Sequence, residues 1–212
     1  MISKSNHEIL FRTIVGSHMW NMNHEQSDTD IFECYILPTR EILKGRLPVS
    51  HVTHNEENKL DTQRQEISKV TSEIIKGNFN YLGYIFSPIV LEGDKFLKEY
   101  RKLASEVISK EIYHSIRGMA IHNYKRYQTA LVDNLDTKRW SKIIRVLEFG
   151  IHLINTGEIE FKPVNKGNKD IFNAAMMGLD YIKDHGSLRN RPSETDIENL
   201  WNFVIEERIK RL

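Results

Sequence analysis

Two aspartates, Asp28 and Asp30, stand two residues apart at the head of the apolar run Ile31 to Leu37. Successive side chains of a strand point to opposite faces, so this spacing puts both carboxylates on one face. Carboxylates held that close repel and raise each other's pKa unless a cation lies between them. An oxygen-preferring divalent ion, most simply Mg²⁺ with Mn²⁺ as a substitute, removes the repulsion. Upstream, the run Leu10 to Val15 stops at Gly16-Ser17. Glycine at a strand end lets backbone N–H groups approach an anion, and the serine hydroxyl can donate to a phosphate oxygen. A short helix starting near His18 would add its N-terminus to that anion site. One side of the stretch suits a metal, the other a phosphate. Taken singly, Asp-x-Asp before a strand and Gly-Ser after one also read as ordinary turns; the joint spacing is much narrower.

These residues need strands to hold them. Leu10 to Val15 and Ile31 to Leu37 read as two short buried strands, the first stopped by Gly16-Ser17 and the second by Pro38. Residues 50 to 59 are polar and without pattern, which reads as a loop. A helix from Ser68 to Gly77 carries Ile67, Val70, Ile74 and Ile75 on one face. Beyond about Pro88 nearly everything has helical periodicity. Phe96, Leu97, Tyr100, Leu103, Ala104, Val107 and Ile108 form one stripe. Further helices are expected over residues 112–131, 137–155, 168–185 and 194–211, the last starting at Ser193. The expected class is α+β: a small mixed sheet over residues 1–90, then a helical domain over 91–212.

Composition narrows the setting. The chain has 212 residues, 40% hydrophobic and 28% charged, within the ordinary range for a globular protein. Thirty Lys and Arg against 29 Asp and Glu leave no global charge that would demand nucleic acid or membrane, so any basic surface is local. A single cysteine, Cys34, excludes an internal disulfide. No apolar run approaches the roughly 20 residues needed to cross a bilayer. A cytoplasmic protein without membrane attachment is the expectation.

The order strand, Gly16-Ser17, ten residues, Asp28-x-Asp30, strand resembles the signature of the polymerase-β-type nucleotidyltransferase superfamily. Asp61-Thr62-Gln63-Arg64-Gln65-Glu66-Ile67, running on to Lys76-Gly77-Asn78, is similar to a segment of its RNA-repair-associated (RlaP-like) members. Tyr113-His114-Ser115-Ile116, Asp136-Thr137-Lys138, Arg145-Val146-Leu147 and Gly157-Glu158-Ile159 also resemble that group in order and rough spacing. The resemblance implies a palm-like catalytic half, a cleft against the helical half, and a third carboxylate on a neighbouring strand, for which Asp61 matches. A helix-entry role for Asp61 stands beside this. Glu33, an odd number of residues from Asp28 and Asp30, would face away from them. Two departures bear on the nucleotide: Asn21 stands where a second glycine is usual, and Trp20 where tyrosine is. Asparagine tolerates the left-handed backbone region, so the turn can survive.

Other residues compete for attention. Between Tyr113 and Arg145 seven Lys and Arg face two Asp, and Lys138, Lys142 and Arg145 share one helix face. That face reads as a solvated surface or as a clamp for phosphates; the resemblance favours the clamp for Lys138 and Arg145. His51-x-x-His54 lacks a second ligand pair and reads as loop histidines. His114 and His122 read as packing or surface residues, Cys34 as core. Phe79, Tyr81, Tyr84 and Phe86 read as core packing more readily than as base stackers.

Together these imply an Mg²⁺-dependent enzyme that moves a nucleoside monophosphate from a nucleoside triphosphate to a hydroxyl, an RNA end being the expected acceptor. Asp28, Asp30 and Asp61 would hold metal and act in catalysis; Gly16, Ser17, Lys138 and Arg145 would hold the nucleotide. The alternatives are transfer of AMP to a protein or small molecule, or a catalytically silent binding partner with the same fold. Base preference and oligomeric state are not written in the sequence.

Overall fold

Short apolar runs bounded by glycine and proline become the centre of the sheet. The computed structural model describes residues 7–45, 50–57, 59–130, 137–164 and 166–211; the side chains of 128–130, 137 and 138 also lie outside that description. β1 (Glu8–Ile14) pairs antiparallel with β2 (Thr29–Ile36), and Gly16–Met19, a one-turn helix α1, begins the connection between them. After the short α2 (Thr39–Leu43), a hairpin of β3 (His51–Asn55) and β4 (Leu60–Glu66) sets β4 parallel to β2. β5 (Val90–Glu92) joins the far edge beside β1, giving the mixed order β3-β4-β2-β1-β5.

Period-two alternation divides the central strands. On β2, Phe32, Cys34 and Ile36 enter the core with Phe11 of β1. Helices α3 (Ile67–Ile75), α4 (Phe79–Phe86) and α5 (Asp94–Glu106) contribute Ile67, Val70, Ile74, Leu82, Ile85, Leu97 and Tyr100 to the same core. A fully buried side chain of this size contributes about 1.5–3 kcal/mol, so this layer stabilises the strand pair that carries Asp30. The other face of β2 carries Glu33, which Arg12 of β1 and Arg64 of β4 clamp from either side. Glu33 therefore belongs to a cross-strand ion-pair row, turned away from Asp30.

The helical half follows. α6 (Ile112–Ala130), α7 (Thr137–Thr156) and α8 (Lys169–His185) pack together through Ile116, Ile143, Ile144, Leu147 and Leu179. α9 (Glu194–Ile209) returns to the sheet side against α3 and α5. The side chains of Asn168 and Ser193 cap α8 and α9 by accepting from Ile171 N and Asp196 N. Among the described residues no helix is long and apolar enough to cross a membrane.

The architecture is the expected α+β class, with differences in detail. Residues 51–55 form a strand where the sequence reads as loop: β3 is an edge strand exposed along its whole length, so no apolar alternation marks it. α4 hides because its apolar residues surround the helix instead of striping it. β5 is only three residues long. The Lys76-Gly77-Asn78 segment proves to be a joint. Gly77 has φ +71°, and a Cβ there would lie 2.7 Å from the Ile112 backbone nitrogen. Asn78 caps α4 through Asn80 N and donates to Glu73.

One buried tie crosses the whole chain. The Glu66 side chain is fully buried, accepts from Ser68 N at 2.7 Å and is paired with Arg208 of α9, which also donates to Leu37 O. Arg208→Met leaves that carboxylate buried without its cation, and is expected to lower unfolding free energy by roughly 3–5 kcal/mol. Arg211→Met, which breaks part-exposed pairs to Glu8 and Glu207, should cost under about 1 kcal/mol. Urea denaturation midpoints at constant m-value measure both.

Candidate active site

The parallel pairing of β2 with β4 decides what stands next to Asp30. Its register partner is Asp61, so the two carboxylates occupy adjacent strands on one face. Asp28, two residues before Asp30, precedes the strand and is exposed. Burial pushes the Asp30 carboxyl above its usual range, the charges of Asp61 and then Asp28 push it the same way, and His18 and Lys142 oppose them. Gly16 brings the chain against this group. It has φ +64°, and a Cβ at that position would fall 1.8 Å from Asp30 Oδ2. No other residue type fits both the backbone conformation and the contact.

The turn after Gly16 closes on itself: Trp20 N and Met22 N donate to Ser17 O, and Asn21 takes φ +53°. Asparagine thus holds the left-handed position expected of a second glycine. The Ser17 hydroxyl, half-buried, makes no hydrogen bond among the described residues. Trp20 is 3% exposed and packs edge-on against Phe149 and Phe161. It serves as the floor under a cation.

That cation is Arg145 of α7. Its Cζ lies 5.0 Å from the centre of the Trp20 ring, and its Nη1 is 3.7 Å from Met22 Sδ. Burial pulls the Arg145 pKa down to about 10, against the pull of Tyr127 and Asp30. It is still charged at neutral pH. Among the described residues it has no ion pair, and its Nε is buried without a hydrogen-bond partner. A buried guanidinium with an unanswered donor fits an anion.

Sheet wall and helix wall enclose one cavity of about 390 Å³. Gly16, Asp30 and Asp61 line it on the sheet side, and Lys142 and Arg145 on the helix side. Ser17 follows the lining Gly16 and Asp28 lies two residues before the lining Asp30, but neither forms part of the wall itself. The Lys138 side chain lies outside the described residues. Sequence reasoning set Lys142 aside in favour of its neighbours one turn away, although it shares their face. It also read His54 as a loop histidine. From exposed β3, His54 stands opposite Asp61 in register, with Nδ1 2.8 Å from Asp61 Oδ1. A carboxylate only accepts, so Nδ1 donates, and the ring fixes one Asp61 oxygen while leaving the other. His114 and His122 are exposed and away from the cavity.

The donor set suits a hard divalent cation: three acidic side chains, two of them registered, with mutual repulsion written in the Asp30 pKa. Among the described residues, no group of three or more His, Cys, Asp or Glu is already closed around a single point. The fit therefore rests on the registered pair Asp30 and Asp61, with Asp28 close enough for its charge to act on Asp30.

Comparison with known proteins gives the chain's family. The family described as "RNA repair pathway DNA polymerase beta family" (RlaP) matches residues 1–197. An uncharacterized protein, MJ0002 of Methanocaldococcus jannaschii, is 27% identical over 154 residues, covering 71% of this chain and 62% of the relative. The chain thus aligns with less than two thirds of that protein's length.

A raised carboxyl pKa has a signed consequence. The folded state binds the Asp30 proton more tightly than the unfolded chain does, so this contribution is present below the ordinary carboxylate pKa and lost as pH rises through the raised value. Asp30→Asn, permanently neutral, is expected to melt higher than the native chain at pH 7 in chelator. The gap should close as pH falls into the carboxylate range. Thermal unfolding across pH 3.5–7.5, on the order of the carboxylate window, measures it.

Proposed function

Since the chain belongs to the RNA repair pathway DNA polymerase beta family, and so to the polymerase-β-like nucleotidyltransferases, we propose that it transfers a nucleoside monophosphate from a nucleoside triphosphate to a hydroxyl, with an RNA end as acceptor. The observation that carries this is the Asp30–Asp61 pair, registered on one face and opposed across a single cavity by Lys142 and Arg145. Acid residues on one wall and cations on the other match a substrate that carries phosphates and reacts at a hydroxyl.

Each residue then has a task. Arg145, seated on Trp20 with its Nε unanswered, binds triphosphate oxygens, and Lys142 adds charge beside it. Gly16 allows backbone to approach the phosphates, and the Ser17 hydroxyl donates to them. Asp28, Asp30 and Asp61 would hold Mg²⁺, or Mn²⁺ in its place; when bound, it neutralises phosphate charge and favours in-line displacement. Asp61, held at one oxygen by His54, accepts the proton of the attacking hydroxyl. The hydroxyl oxygen bonds to the α-phosphorus as the bond to the bridging oxygen breaks, and pyrophosphate leaves with that oxygen. Positioning and charge neutralisation do most of the work.

A protein or small-molecule hydroxyl would meet the same groups. A silent binding partner has less support, since three carboxylates that repel one another cost stability and serve no packing role.

Incubation with each α-labelled triphosphate, Mg²⁺ and either an RNA 3′ end or total cell protein tests the proposal. Label is expected on RNA. Asp61→Asn should slow transfer by roughly 10²–10⁴-fold if it takes the proton, and Asp28→Ala/Asp30→Ala should abolish it. Label on protein alone would replace the acceptor, and no transfer to either would refute the activity.

A further inference from the structure

Beyond its charged residues, the cavity is lined by polar side chains that make no hydrogen bond among the described residues. α4 and α6, joined where Phe79 N donates to Ser115 Oγ at 3.0 Å, both line it. Each presents an amide followed four residues later by a tyrosine: Asn80 and Tyr84 on α4, Asn123 and Tyr127 on α6. Four residues is about one helical turn, so within each pair both side chains leave the same side. Met119 extends the α6 row one turn the other way and also lines the cavity.

The two tyrosines differ. Tyr84 is committed: its ring stacks on Phe32 with centroids 4.3 Å apart, and its hydroxyl donates to Gln63. Tyr127 has no hydrogen bond among the described residues; Arg139 Cζ lies over its ring, 5.8 Å from the centre, and Tyr127 lines the cavity together with Arg145. The side-chain amides of Asn80 and Asn123 likewise make no hydrogen bond among the described residues. An amide offers two donors and an acceptor; flanked by a thioether and an aromatic ring, it suits a flat ligand with a polar edge.

We infer that the α6 row Met119–Asn123–Tyr127, with Asn80 from α4, is the nucleobase subsite for the donor triphosphate, and that Asn123 sets which base is accepted. The inference rests on the nucleotidyl-transfer reading and adds the element that reading lacks. Lys142 and Arg145 meet phosphates, which every nucleoside triphosphate shares, so they discriminate nothing. The α6 row begins beside the charges: Tyr127 lines the cavity with Arg145, and Asn123 and Met119 lie one and two turns farther along. Tyr127 and Met119 cover the faces of a base, which is indifferent to its identity. The Asn123 amide pairs with its hydrogen-bonding edge, which is selective, by roughly tenfold to a hundredfold for a well-made pair.

Calorimetric titration of the full chain with ATP, GTP, CTP, UTP and inorganic tripolyphosphate, each with Mg²⁺, tests this. The native chain should separate the four nucleotides by about tenfold or more. Asn123→Ala should narrow the spread to about threefold or less, with tripolyphosphate affinity unchanged. Tyr127→Ala should weaken all four alike and spare tripolyphosphate. Asn123→Ser serves in place of Asn123→Ala if melting shows that variant unfolded. An undiminished spread in the folded Asn123 variant, or equal binding of the four nucleotides and tripolyphosphate by the native chain, overturns the subsite while leaving nucleotidyl transfer standing. Failure of the native chain to bind any triphosphate overturns nucleotidyl transfer itself.

Discussion

Repulsion between carboxylates on neighbouring strands is the constraint around which this molecule is arranged. A parallel ladder sets residues side by side at about 4.8 Å, and pairing Asp30 with Asp61 in that ladder is unfavourable by itself. The fold tolerates it because the rest of β2 is well supported. Phe32, Cys34 and Ile36 are packed under α3, α4 and α5, and Glu33 is clamped from both sides by arginines on the opposite face. Register follows from these contacts, and a one-residue slip would turn Phe32 out and Glu33 in. The aspartates are thus held in place by residues with no part in chemistry.

Gly16 and Arg145 set the surroundings of that pair. The glycine removes the side chain that would collide with Asp30, so the β1–α1 turn comes down onto the carboxylate. Arg145 approaches from α7, its charge supported by the Trp20 face instead of by an acid. Had an aspartate neutralised it, no pull would remain for a phosphate. The cavity thus has registered carboxylates on its sheet wall and, on its helix wall, a guanidinium with no ion pair among the described residues, in positions that a metal–triphosphate complex would complement.

How much of this was legible depended on range. Gly16-Ser17 and Asp28-x-Asp30 lie between two apolar strands, so local spacing alone brought them together. Asp61 had no such frame: β4 reads Asp-Thr-Gln-Arg-Gln, with polar residues on both faces, and its partners supply its environment. β3 is fully exposed and carries no pattern, which is why His54 looked like a loop residue. α4 is apolar on nearly every side, so periodicity could not find it. On α7, Lys138, Lys142 and Arg145 share a face, and only packing decides that Lys142 and Arg145 reach the cavity. Asn123 gave no signal because an isolated asparagine in a helix has no neighbours in sequence that reveal its use.

The central claim is that the registered carboxylates exist to hold a divalent cation together with a triphosphate. Mn²⁺ binding, followed by electron paramagnetic resonance with and without a non-hydrolysable nucleoside triphosphate, tests it most directly. The account predicts that the native chain binds Mn²⁺, that the nucleotide tightens binding, and that Asp30→Asn and Asp61→Asn each lose it. Equal Mn²⁺ binding by the native chain and both variants, or none by the native chain at saturating nucleotide, would contradict it.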